Sequence, residues 1–81
     1  MGAKQFERRI LTMQPIIELV GQSRLLIENH QGVASYSGSE IQIKVCYGYV
    51  AISGDELQLM EMSRIKLVIC GRIEGIQILG R

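Results

Sequence analysis

The chain has 81 residues, a formal net charge of +1 and a hydrophobic fraction of 47% against only 5% aromatics. A chain of this size is one domain with a marginal core, and so balanced a charge argues against a general nucleic-acid binder, which needs a basic stripe along one face. Much Ile, Leu, Val and Met in so small a protein suggests a second buried surface, most simply a subunit interface.

Residues 1–15 read as an N-terminal arm, either helical over residues 3–13 or disordered. Phe6, Ile10 and Met13 recur at helical spacing, with Glu7, Arg8 and Arg9 elsewhere around the wheel. Pro15, the only proline, ends that segment before residues 16–81 turn to β patterning. So short a helix must dock to persist, as a lid over one end of the core or as a contacting arm.

From Ile16 onward short alternating runs predict strands at 16–20, 24–28, 33–37, 40–46, 49–53, 56–61, 65–70 and 75–79. In Glu40-Ile41-Gln42-Ile43-Lys44-Val45, the three apolar side chains leave a pleated backbone on one side and the polar ones on the other. Turns are expected at Gly21-Gln22-Ser23, Asn29-His30-Gln31-Gly32, Gly38-Ser39, Tyr47-Gly48, Gly54-Asp55, Met62-Ser63-Arg64 and Gly71-Arg72. The pattern predicts an all-β fold, a small antiparallel sandwich of about seven or eight strands. Glycines 21, 38, 54 and 71 also recur at near-equal intervals, which leaves a parallel β-solenoid as the alternative. Register drift between the repeats counts against it, since a solenoid stacks equivalent positions in ladders. Two runs, Arg24-Leu25-Leu26-Ile27 and Ile65-Lys66-Leu67-Val68-Ile69-Cys70, are apolar on both faces, so each requires a cover.

Few residues carry chemistry. Cys46 and Cys70 do not make a disulfide framework and read as small hydrophobes in a reducing compartment. No signal-like apolar run opens the chain, and nothing approaches the roughly 20 apolar residues of a membrane span. No metal-ligand spacing links His30, Asp55 and the cysteines, no serine sits in a nucleophile elbow, and no glycine-rich loop could cradle phosphate. Neither catalytic residues, a metal nor a cofactor is therefore expected. The one dense polar cluster, Glu28-Asn29-His30-Gln31-Gly32, reads first as a turn, with Asn29 suited to left-handed backbone. Glu28, Asn29 and His30, with an aromatic patch of Tyr36, Tyr47 and Tyr49, are the partner-contact candidates.

That cluster, as Ile27-Glu28-Asn29-His30-Gln31-Gly32-Val33 followed by Tyr36-Ser37 and Glu40-Ile41, resembles the YabP/YqfC family of sporulation proteins, and within it the YqfC branch. Gly48-Tyr49-Val50-Ala51-Ile52-Ser53-Gly54 resembles the family's Gly-x-Leu-x-Ile-x-Gly strand, and Leu57 also matches. Ile69-Cys70-Gly71-Arg72-Ile73-Glu74-Gly75-Ile76 resembles its C-terminal pattern. The similarity spans roughly residues 16–79; the N-terminal arm is shorter than in YqfC-like proteins.

The resemblance implies a compact β-sandwich and a non-enzymatic protein made during endospore formation. It implies a protein partner, such as a membrane-associated sporulation protein; with the apolar surplus noted above, the chain reads as a structural or adaptor module that binds such a partner or its own copies as a homo-oligomer. The expected location is the cytoplasm of a sporulating cell, with a peripheral position at the forespore membrane. A second reading, from another class, is a small-ligand or metal-binding enzyme using His30 with Asp55 or the cysteines.

Overall fold

The computed structural model describes residues 14–80. The helix expected over residues 3–13 lies outside the described residues. Six strands follow in order: β1 (Ile16–Val20), β2 (Arg24–Glu28), β3 (Val33–Tyr36), β4 (Glu40–Val45), β5 (Gly48–Met62) and β6 (Lys66–Gly80). They form one open sheet in the order β1-β2-β6-β5-β4-β3, and each neighbouring pair is antiparallel. The fold is all-β and antiparallel, as expected. The solenoid is overturned, because its rungs would have to run parallel.

The number of strands differs from the expected seven or eight for a physical reason. Two glycine-bearing segments read as hairpin turns, Gly54-Asp55 and Gly71-Arg72, are instead bends inside the 15-residue strands β5 and β6. Asp55 pairs with Arg72 and Gln58 with Cys70, so Glu56 and Leu57 together face Gly71 across the ladder. This bulge turns both strands at once, as extra residues on one strand commonly do. Glu56 takes positive φ (53°) there, and Gly71 lies at φ 135°. A Cβ on Gly71 would approach the Glu56 carbonyl oxygen to 2.6 Å, and one on Gly54 would collide with the carbonyl oxygen of Arg72. Both positions demand glycine because backbone approaches backbone, not because the chain reverses.

The bend folds the sheet over itself. Leu25, Ile27, Leu67 and Ile69 from one half meet Ile41, Ile43, Val45, Val50 and Ile52 from the other, with Leu57 and Ile73 contributed at the bend. All are 5% exposed or less. The two-layer core of a sandwich is thus made by one continuous sheet. Two loops fasten the fold at the bend. In the β1–β2 turn, Ser23 and Gln22 carbonyls accept the N–H groups of Gly71 and Ile73. In the β3–β4 turn, Gly38 and Ser39 carbonyls accept those of Leu57 and Gly54. On the outer face Val68, 2% exposed, pairs with half-buried Leu26, so the double-sided apolar character of those two strands is real.

Two reversals rest on serine. Ser37 Oγ accepts the Glu40 N–H at 3.0 Å while Ser37 N–H donates to the Glu40 carbonyl at 2.9 Å. Ser63 repeats the arrangement with Lys66, at 3.1 and 2.8 Å. Each hydroxyl replaces a turn bond that the backbone alone would leave to solvent. Hence the least glycine-like boundary in the sequence, around Met62-Ser63-Arg64, is a true turn.

Candidate functional site

The polar cluster connects β2 to β3 and is hydrogen-bonded to several distant parts of the chain. Asn29 adopts φ 65°, the left-handed conformation that Asn accepts more readily than most residues. Its N–H donates to the Ile65 carbonyl at 2.7 Å, and its side-chain amide donates to the Gln14 carbonyl at 2.9 Å. Gln31 N–H donates to the Lys44 carbonyl, and the Lys44 N–H donates to the Gly32 carbonyl. Asn29, Gln31 and Gly32 therefore tie together the approach to β1, the β5–β6 turn and the end of β4.

His30 is the centre of this clasp and is 8% exposed. The Gly32 N–H donates to Nδ1 at 3.0 Å, so Nδ1 is the acceptor. Nε2 then carries the proton and donates to the Ser63 carbonyl at 2.9 Å. The partners thereby assign the tautomer. Both ring nitrogens are occupied by backbone groups, one within the loop and one from the turn after β5. No buried side-chain polar atom among the described residues is left without a partner.

The other candidates are distributed. Glu28 lies on β2 between Ile16 of β1 and Lys66 of β6, half-buried. Tyr36 ends β3 opposite Ile41, is 54% exposed, and its hydroxyl accepts the Leu59 N–H at 3.4 Å. Tyr47, in the β4–β5 turn, packs against the core. Tyr49 sits opposite exposed Lys44 and is 39% exposed. The three tyrosines therefore do not share one face, contrary to the expected aromatic patch: Tyr36 stands on the core-side face at the sheet margin, Tyr49 on the outer face.

Nor does the fold gather the groups of the enzyme reading. Asp55 is at the bend opposite Arg72, Cys70 lies between Arg24 and Gln58, and Cys46 is in the β4–β5 turn. Both cysteines are free and half-buried. A shallow hollow beside His30 is lined by Gln31, Gly32, Met62, Ser63 and Arg64, with neither Asp55 nor a cysteine among them. Among the described residues no group of three His, Cys, Asp or Glu side chains is placed to hold a metal.

What sequence reasoning missed is the margin of the sheet. Among the described residues, 75–80 of β6 pair with β5 on one side only, because β2 covers β6 solely at residues 66–70. Along that margin stand Ile76 (36% exposed) and Ile78 (60%). Reading 65–70 and 75–79 as separate strands concealed a single strand that outruns its neighbour.

The family model of the YabP family matches residues 12–81. No curated protein and no solved structure shows a match to the chain. Among the described residues no helix is long and apolar enough to cross a membrane.

Proposed function

The chain belongs to the YabP family, and on that premise we propose that it is a non-enzymatic structural or adaptor module of endospore formation, acting by binding a protein partner or its own copies. The supporting observation is the way the distinctive polar cluster is used. Both nitrogens of His30 are committed to the Gly32 and Ser63 backbone, which leaves them no lone pair or proton for a substrate. Its groups hold the fold, and the surface left for function is the open sheet with its apolar margin. Unpaired strand margins are ready templates for pairing with another chain.

Two measurements test the reading. The intact protein, used as bait in an extract of sporulating cells, should retain a specific partner, or light scattering at micromolar concentration should show self-association. A protein that retains nothing above control and stays strictly monomeric would overturn it.

A further inference from the structure

We infer that the margin of β6 that has no neighbour among the described residues pairs with the same margin of a second copy, antiparallel about a two-fold axis through Ile78. This rests on the association reading above and specifies its geometry. Which backbone groups face outward follows from the hydrogen bonds of β5. The Gly54 N–H points to the β4 side, where it donates to the Ser39 carbonyl. Successive residues of a strand point their backbone groups to opposite sides. Residues 52, 50 and 48 thus face β4, and Tyr49, Ala51 and Ser53 face β6. Their partners there are Leu79, Gln77 and Gly75, so the N–H and C=O groups of Ile76, Ile78 and Gly80 face the open side.

These three residues are evenly spaced about Ile78, and that makes the margin complementary to itself. In an antiparallel copy Ile78 faces Ile78, and Ile76 faces Gly80 on each side of the axis. Each chain offers three N–H groups to three carbonyls, about six hydrogen bonds in all. The exposed Ile78 side chains meet at the axis, and Ile76 lies against a glycine with no side chain to obstruct it. A two-fold contact of this kind closes on itself instead of growing into a fibre.

The other margins are blunted in the ways that discourage pairing. β1 carries Glu18 at its centre. β3 has four residues and a register shift between Val33 and Ser35. The free half of β5 is shifted between Leu59 and Glu61, carries a charge at Glu61, and has its Leu59 N–H taken by Tyr36. Residues 75–80 of β6 hold no charged side chain, and their register with β5 is unbroken.

Amide hydrogen exchange, read with sedimentation across a concentration series, tests this. The expected result is a dimer in which the Ile76, Ile78 and Gly80 amides slow by at least about tenfold as concentration rises, the change expected when opening requires dissociation. Ile78→Lys, at a 60% exposed position, should leave the fold intact and weaken association by at least about tenfold, since like charges then face each other at the axis. A dimer whose three amides exchange quickly at every concentration would overturn the inference and leave self-association standing through another face. A monomer that still captures a sporulation partner would overturn it and leave the adaptor reading; a monomer with no partner would remove both.

Discussion

Replacing His30 with alanine separates a histidine that holds the fold from one displayed on a loop. As a plain surface turn residue it would cost under about 1 kcal/mol on truncation. The structure predicts more. His30→Ala removes the acceptor of the Gly32 N–H and the donor to the Ser63 carbonyl, each worth about 0.5–1.5 kcal/mol. It also empties the space of a side chain that is 8% exposed, adding about 1 kcal/mol by analogy with other buried truncations. Ser63 is exposed and Gly32 half-buried, so water can reach the orphaned groups and the total falls near 2–3 kcal/mol. For a domain of this size that lowers the melting temperature by roughly 10–20 °C. Urea unfolding at 25 °C measures it, both proteins carrying Ile78→Lys so that association does not contribute to apparent stability. A loss below about 1 kcal/mol, the level of a plain surface turn residue, would refute the clasp.

The bend yields two further predictions. Gly54→Ala and Gly71→Ala each drive a Cβ into backbone across the ladder and should cost about 3 kcal/mol or more, or abolish folding. Gly38→Ala, where added carbon meets nothing within 4 Å, should change stability by less than about 0.5 kcal/mol; far-ultraviolet circular dichroism during thermal melts compares the three. Glu56 holds positive φ without being glycine, so Glu56→Gly should be neutral or raise stability by up to about 1 kcal/mol, while Glu56→Val should lower it by at least about 1 kcal/mol. Equal effects from both would mean that the bend does not hold residue 56 in the left-handed region.

Alternation carried most of the fold. β1 and β2 have the expected bounds, β4 ends one residue early at Val45 and β3 one early at Tyr36, because period-two patterning depends only on which side of the pleat meets the core. The failures cluster at glycine. In sequence, a glycine that permits a reversal and one that permits close approach of two backbones look alike; only the partner strand distinguishes them. Gly54 and Gly71 are the second kind, and joining the runs on either side of them created the long strands. Ser63 shows the converse, since a hydroxyl closing a turn on its third neighbour leaves only a weak compositional trace. The Glu28–Gly32 cluster was legible as a turn with Asn29 in left-handed backbone. Its role as a clasp was not, because the Ser63 carbonyl lies 33 residues away from His30.

The bend that complicates the sequence also lies where the cover of β6 by β2 stops. β2 ends its pairing with β6 at Cys70, the last residue before the bend. Beyond it β6 runs on with the other half of the sheet and leaves β2 behind. β2 has five residues, all of them paired with β6, and the β1–β2 turn takes over at Gly71 and Ile73. A 15-residue β6 beside a five-residue β2 therefore leaves the far end of β6 without a neighbour on that side among the described residues. Closing the sheet into a barrel would remove that margin, yet here the sheet stays open and keeps isoleucines along it. A variant that breaks the bend at Gly54 or Gly71 should lose the proposed β6 interface together with the core, whereas Ile78→Lys should lose the interface alone.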